Sequence, residues 1–296
     1  MNARTLLLLA LTWPLMAQAG GGKLLLTGGV SSIDGAAGGG LTPWALTGSY
    51  AAEGEWGATA SVSRARTSDY GLTVTGAALA WSDRLEVSIA RQDFNAADNL
   101  APLGLRGLHL KQTIVAAKLR IAGEAVLDAD TLMPQVALGL EAKRVDAAAL
   151  NPTLTGALGA KRDGIDLYAS ATKLFLAPGV LVNGTLRLTK ANQNGLLGFG
   201  GAQGAGYRLM PEASVAWLAN RHVAIGAEYR AKPDNLNRSV LGTGALKEDD
   251  WWDVFIAWAP SKTVSLTAAW VALGRIAPAV QPRRQHGAYL SLQLAY

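Results

Sequence analysis

The chain has 296 residues, enough for one large domain or two small ones, and a formal net charge of +5 at pH 7. It contains no cysteine, which excludes disulfides and thiol chemistry, and no basic run accompanies the positive charge, which argues against a nucleic-acid partner. Half of the residues are hydrophobic, yet beyond the N-terminus no apolar run reaches the roughly 18 residues of a membrane-spanning helix.

Residues 1–19 have the three parts of a secretory signal peptide. Arg4 supplies the positive n-region, residues 5–16 form the apolar h-region, and Ala17-Gln18-Ala19 is a small-x-small cleavage pattern. We therefore expect residues 20–296 to form the exported, mature protein. A buried N-terminal helix is the alternative, but it would not explain the three-part pattern.

The mature chain alternates apolar and polar residues with a period of two. In "PQVALGLEAK", for example, Leu138 and Leu140 lie opposite Gly139 and Glu141. Segments of about ten residues with this alternation are typical of transmembrane β-strands and predict an all-β, antiparallel transmembrane barrel. We count about fourteen strands if Gly22 to Val30 is the first, which parity favours because bacterial barrels have even strand numbers. Twelve strands, with one pair merged, is the alternative.

The predicted connections alternate between short turns and long loops. Glu53-Gly54 and Asn220-Arg221 are examples of short turns, and the long connections are rich in Gly, Pro and Asn. Short turns on one side and long loops on the other are typical of outer-membrane barrels. Two glycine clusters, residues 35–40 and 198–206, fit neither a dinucleotide-binding nor a P-loop motif, and we interpret them as flexible loops.

Aromatic residues lie near both ends of the predicted strands. This distribution predicts two girdles at the membrane–water interfaces, whereas the core of a soluble β-sandwich would not sort its aromatic residues to strand ends. The predicted interface residues are Tyr50, Trp56, Trp81, Trp217, Trp258 and Tyr296 on the short-turn side, with Trp270 and Tyr289 on the long-loop side.

The last predicted strand places Leu290, Leu292 and Leu294 on the lipid face and pairs with the first strand, because an open edge in hydrocarbon would leave backbone groups unsatisfied. Its alternation up to a terminal aromatic residue, here Tyr296 where Phe is commoner, resembles the C-terminal signal of outer-membrane proteins. That resemblance implies recognition by the barrel assembly machinery. The segment "GKLLLTGGVSSIDGAAGGGLTPWA" resembles the opening of an uncharacterised family of bacterial outer-membrane barrels, which implies a Gram-negative outer-membrane location but no activity.

The inward face is predicted to carry mostly Gly, Ala, Ser and Thr with a few charged residues. About fourteen strands with such small inward residues predict an open lumen. The predicted pore-lining residues are Lys118, Arg120, Glu141, Lys143, Asn183, Thr185, Arg187, Glu228 and Arg230. Their basic members outnumber the acidic ones, which favours anions. Alternatively, these charges neutralise one another and the long loops fold in as a lid.

We therefore expect a channel in the outer-membrane lipid for passive diffusion of small solutes. No segment is large enough for an energy-coupled plug domain, which disfavours active uptake. A structural or interaction barrel is the second hypothesis, and a hydrolase at the rim is the third, although no motif places a nucleophile beside His109 or His286. No cofactor or metal is expected, because the acidic residues 248–250 lack the spacing of a calcium loop.

Overall fold

The computed structural model describes residues 23–126, 131–202 and 206–296. Twelve antiparallel strands close into a barrel, which confirms the predicted fold class with the alternative strand count. Among the described residues, no helix is long and apolar enough to cross a membrane. The predicted signal peptide, residues 1–19, lies outside the described residues. In chain order the barrel strands are β1 Trp56–Thr67, β2 Gly71–Trp81, β3 Leu85–Asn95, β4 His109–Ala122, β5 Gln135–Asp146, β6 Asp163–Phe175, β7 Val180–Thr189, β8 Arg208–Asn220, β9 Val223–Arg230, β10 Trp251–Trp258, β11 Val264–Gly274 and β12 Gln285–Ala295.

The barrel closes where β12 pairs with β1. Their register runs from Gly287 opposite Thr67 to Ala295 opposite Thr59. The ladder continues beyond β12, because the Tyr296 backbone N–H donates to the Ala58 carbonyl at 2.8 Å. The last strand thus closes the barrel by pairing with the first barrel strand, but that strand is Trp56–Thr67, and neither strand is left with an open edge.

The prediction that Gly22 to Val30 forms the first barrel strand is wrong. In the described part of this stretch, residues 25–28 form a turn, and only Val30–Ser31 pairs, with Ala37–Gly38, in a short hairpin. The physical reason is that the apolar run ends at Leu26 and small polar residues follow it, so the stretch has no outward apolar row to present to lipid. With twelve strands, the barrel still has the even strand number expected of a bacterial outer-membrane barrel.

The strand connections divide the barrel into a short-turn end and a long-loop end, as predicted. Short connections such as residues 82–84 and 221–222 lie at one end, together with the longer connection 123–134. At the other end, apart from the brief connection 68–70, lie five long loops, residues 96–108, 147–162, 190–207, 231–250 and 275–284. These loops contain the single-turn helices Ala101–Leu103, Ala148–Leu150, Thr153–Ala157 and Gln193–Gly195 and a hairpin of Arg238–Ser239 with Gly242–Thr243.

The outer wall is apolar and the inner wall polar, because strand side chains alternate between the two faces. Leu290 is 64% exposed on the outer surface, whereas its neighbour Ser291 is buried inside. Leu186 is 52% exposed on β7, between the buried residues Thr185 and Arg187. The leucine rows therefore face outward, as expected for contact with acyl chains.

Replacing Leu186 by Arg should lower the free energy of unfolding by about 2–4 kcal/mol, because this outward position lies well inside β7 and would bring a charge into hydrocarbon. Leu209→Arg is the matched control, since Leu209 is also outward but lies at the long-loop end of β8, where the cost falls to about 0–1 kcal/mol. Urea unfolding from lipid vesicles measures both. Equal costs at the two positions would contradict a lipid-facing wall.

Candidate functional site

Residues 27–51, here called the inner segment, fill the interior of the barrel. Every residue from 30 to 51 is buried. The chain enters at the short-turn end, where Lys23 Nζ lies 2.5 Å from Asp83 Oδ1, and it leaves at the same end to begin β1. The inner segment is therefore inserted as a hairpin-like loop, and it contributes no strand to the wall.

Asp34, near the tip of the inner segment, meets three basic side chains of the wall. Its carboxylate accepts from Arg230 Nη1 at 2.8 Å and lies 3.4 Å from Lys143 Nζ and 3.8 Å from Arg187 Nη2. Asn194 of a long loop donates its amide to the same carboxylate at 2.8 Å. Asp34 is 1% exposed, so its charge is stable there only because these partners surround it.

The wall charges around Asp34 also pair with one another. Arg187 lies 2.6 Å from Glu141 and 2.5 Å from Glu212, while Lys143 lies 3.0 Å from both Glu141 and Asp166. Burial makes each of these charges costly unless it keeps its partner. The arrangement is therefore a single network that joins strands β5 to β9 to the inner segment.

The predicted excess of basic residues is wrong. The buried charged residues of the described strands are five basic residues, Lys118, Lys143, Lys173, Arg187 and Arg230, and six acidic residues, Glu86, Glu141, Asp166, Glu212, Glu228 and Asp253. The sequence prediction missed four of the acids, Glu86, Asp166, Glu212 and Asp253. The same alternation could have found three of them, since Glu86, Asp166 and Asp253 each stand between two outward apolar residues. The basis for an anion preference is thereby lost.

Glu228 binds the backbone of the glycine-rich turn of the inner segment. Its carboxylate accepts from the Leu41 N–H at 2.8 Å and from Thr42 Oγ1 at 2.7 Å. A Cβ atom on Gly39 would lie 2.1 Å from Glu228 Oε1, so any other residue there would displace the Glu228 carboxylate from its present contacts. The cluster of residues 35–40, predicted to be a flexible loop, is instead packed inside the barrel.

Glu86 and Lys118 form an ion pair that binds the inner segment at two further places. Glu86 accepts from the backbone N–H groups of Ala37 and Gly48, at 3.0 and 2.6 Å. Lys118 Nζ, 3.1 Å from Glu86, donates to the carbonyls of Ala37 and Trp44 at 2.8 and 3.2 Å. Each member of the pair thus uses its remaining hydrogen-bonding capacity on backbone groups of the inner segment.

Asn183 and Thr185 bind the carbonyl of Pro43. Their side chains donate to it at 3.4 and 2.9 Å, and Ser170 donates at 3.1 Å. Arg120 differs from the other predicted pore-lining residues, because it lies at the short-turn end and pairs with Asp83 and Glu124 at 2.6 and 2.8 Å. The structure therefore brings eight of the nine predicted residues into or around the contact with the inner segment, and the pore-lining role stays a prediction.

Two of the predicted interface aromatics are not on the outer surface. Tyr50 is 9% exposed because it belongs to the inner segment, and Tyr289 is 4% exposed because it lies in the inward row of β12 with Ser291. Trp252 also lies outward at the long-loop end, with its ring 5.1 Å from that of Trp270. Trp56, Trp81, Trp217, Trp258, Trp270 and Tyr296 all have exposed side chains on the outer surface.

The histidines and the acidic cluster give no evidence of a catalytic or metal site. His109 is exposed and hydrogen-bonds to Asp93 on the outer surface. Asp249 pairs with Arg275, whereas Asp250 accepts from Tyr229 Oη at 2.5 Å, so these neighbouring carboxylates point to different partners. In the ranges that the structure describes, no group of three or more His, Asp or Glu is arranged to hold a metal ion.

A buried pair anchors the 231–250 loop to the rim of the barrel. Lys232 Nζ lies 3.7 Å from Glu248 Oε1 and 2.9 Å from the centre of the Trp251 ring. Burial lowers the pKa of Lys232 to about 7, although Glu248 opposes the shift, and burial raises the pKa of Glu248 to about 6. The loop therefore holds an amine whose charge is unfavourable in the folded state.

Replacing Asp34 by Ala should loosen the inner segment, because three buried basic side chains lose an anion that they share. A cost of about 3 kcal/mol corresponds to roughly hundredfold faster hydrogen exchange at residues 33–42. Asp83→Ala is the control, since Asp83 also pairs with basic residues but lies partly exposed at the short-turn end. Unchanged exchange in Asp34→Ala would mean that the network does not hold the segment.

Raising the pH from 7 to 9 should stabilise the 231–250 loop. The folded pKa of Lys232 is about 7 and the unfolded value about 10.4, so the loop gains stability as the pH rises between them, while Glu248 stays ionised. Hydrogen exchange in residues 240–248, corrected for the intrinsic rate, should slow over this range in the native protein but not in Lys232→Met. Equal behaviour of the two proteins would contradict a buried, neutral amine.

Comparison with solved structures finds a porin, an outer membrane channel and an outer membrane phospholipase, all of low sequence identity. A KdgM porin in complex with disordered oligogalacturonate is 9% identical, with a TM-score of 0.50, over 80% of this chain and 99% of that chain. A COG4313 outer membrane channel from Pseudomonas putida F1 is 13% identical, with a TM-score of 0.49, over 83% and 96%. Outer membrane phospholipase A from Escherichia coli is 9% identical, with a TM-score of 0.45, over 80% and 92%. The likeness to the porin concerns the fold alone.

Sequence comparison identifies the family. No curated protein matches the chain in sequence. A family model described as "Protein of unknown function (DUF3034)" matches residues 27–293, which include the inner segment and nearly the whole barrel. This match confirms the predicted resemblance to an uncharacterised family of outer-membrane barrels: the chain belongs to the DUF3034 family.

Proposed function

We propose that the protein is an outer-membrane channel for passive diffusion of small solutes, closed by its own inner segment. The chain would be exported by the signal peptide of residues 1–19 and inserted by the barrel assembly machinery through β12. The short-turn end would then face the periplasm, since the short turns and both chain termini of such barrels lie on that side of the membrane. In this arrangement the inner segment enters from the periplasm.

The observation that carries this proposal is that the wall closes without the inner segment. Strand β1 pairs with β12 and β2, and the inner segment makes side-chain and backbone contacts with the wall but contributes no barrel strand. Its displacement would leave all twelve strands paired. A barrel of this size lies between eight-stranded barrels, which side chains fill, and those of sixteen or more, which hold a water channel.

The residues predicted to line the pore fit this proposal in the closed state, with the inner segment in place, and in the open state, with the segment displaced. With the inner segment in place, Lys118 and Glu228 bind its backbone; with the segment displaced, the same polar groups would be hydrated by water in the lumen. The near balance of buried basic and acidic residues favours neither anions nor cations.

A structural or interaction barrel is the second candidate. The specific observation in its favour is the number of wall side chains committed to the inner segment, including Arg230, Lys118 and Thr185. Under this alternative the inner segment stays in place permanently and stiffens the barrel, and the long loops alone would meet a partner.

A reversible disulfide between the inner segment and the wall tests the channel. Thr42 Oγ1 and Ser214 Oγ lie 2.5 Å apart, so the variant Thr42→Cys with Ser214→Cys brings two sulfurs within bonding reach, and the chain has no other cysteine. In planar bilayers we expect stepwise conductance from the reduced variant, silence after oxidation and recovery on reduction. The two single-cysteine variants are the controls for the lost hydroxyl groups.

Each result separates the candidates. Silence of the native protein and of the reduced variant would favour the structural barrel. Conductance that oxidation leaves unchanged would keep the channel but contradict closure by the inner segment.

A further inference from the structure

An apolar chamber lies between the long loops and the tip of the inner segment. Its volume is about 230 Å³. All five long loops contribute to its wall, each with at least one large apolar side chain, namely Leu100, Leu158, Leu196, Leu246 and Ile276. Ile33 and Leu41 of the inner segment also line it, as do residues of the barrel strands. Loops that are far apart in sequence thus converge on one chamber.

Almost the whole surface of this chamber is formed by apolar atoms. Two glutamine side chains that line it use their amide N–H groups on backbone carbonyls. Gln92 donates to the Ile33 carbonyl at 2.7 Å, and Gln193 donates to the carbonyls of Leu246 and Ile276 at 2.8 and 2.9 Å. An ion or a sugar would lose its hydration here and gain no hydrogen bonds in return, so the chamber is unfavourable as a binding site for either.

The mouth of the chamber also carries apolar side chains. Leu103 and Leu241 line the chamber from two different loops, and they are 66% and 55% exposed. Because they stand beside an apolar cavity, their side chains extend its apolar surface to the solvent. They therefore form an entrance suited to a hydrophobic molecule.

A void of this size is unusual in a packed protein interior, where gaps larger than a water molecule are few. An apolar cavity of about 150 Å³ stays dry and takes up benzene. Scaled by volume, the chamber would hold an apolar molecule of roughly nine non-hydrogen atoms. Filling it would restore the van der Waals contacts that its lining side chains lack.

We infer that the chamber is a binding site for a small, uncharged hydrophobic molecule, aromatic or branched aliphatic. The binding itself is independent of conductance. The further assignment of this molecule as the solute that the barrel carries rests on the proposed channel function. The contact that would couple the two is made by Ile33, which lines the chamber, and Asp34, the next residue, which lies in the ion network.

Equilibrium dialysis with radiolabelled naphthalene tests the site, using the full-length protein in amphipol and amphipol alone as the blank. We expect saturable binding of naphthalene by the native protein and no saturable binding of glucose or benzoate. Ala277→Phe, which places a ring in the chamber, should weaken naphthalene binding at least tenfold. Leu174→Ala is the matched control, because Leu174 is buried in the core but does not line the chamber, and it should bind as the native protein does.

Comparing ligands of two sizes separates an effect on the chamber from an effect on the stability of the protein. Leu196→Ala enlarges the chamber, so it should shift the preference between anthracene and naphthalene about tenfold towards anthracene, whereas a purely structural role of Leu196 would leave this ratio unchanged. Binding equal to the blank, binding unaffected by Ala277→Phe, or equal binding of benzoate would overturn the inference. If the protein conducts but does not bind naphthalene, the channel proposal stands and the binding-site proposal fails. If it binds naphthalene but does not conduct, the binding-site proposal stands and the channel proposal fails.

Discussion

The requirement that every backbone N–H and C=O be paired away from water governs the whole molecule. In the wall it is met by strand pairing that runs without a break from β1 through β12 and back to β1. In the interior it is met differently, because the inner segment has few strand partners of its own. Wall side chains supply them: Glu228 accepts from Leu41, Lys118 donates to Ala37, and Thr185 donates to Pro43.

This second solution explains why a barrel interior carries so many charged residues. A buried charge is costly alone but stable when it is paired and hydrogen-bonded. Asp34 joins Lys143, Arg187 and Arg230 through its one carboxylate, so the inner segment completes a network that the wall leaves unfinished. The wall acids Glu141 and Glu212 would keep part of that network together without it, and water could supply the rest. The same side chains are thus compatible with a filled interior and with a hydrated one.

Two environments of opposite polarity meet near the tip of the inner segment. On one side lies the ion network, in which Asp34 is 2.8 Å from Arg230; on the other lies the chamber, lined by Ile33 and the leucines of the loops. The boundary falls between two consecutive residues, Ile33 and Asp34, which lie in the turn between the short strands Val30–Ser31 and Ala37–Gly38. A molecule in the chamber would therefore contact the segment that fills the barrel, which relates the apolar site to the proposed closure.

The sequence alone determined the fold class, the outward leucine rows, the division into short turns and long loops, and the inward position of Lys118, Lys143 and Glu228. These features follow from a period-two alternation, which is local to each strand and can be read without knowing its neighbours. The strand number, the place of residues 30–51 and the pairing of the wall acids with their basic partners were decided only by the tertiary structure. Each depends on which distant residues meet once the barrel closes: Asp34 pairs with Arg230, far from it in sequence, and five separate loops line one chamber. No local sequence pattern predicts these long-range contacts, because they form only when the barrel closes.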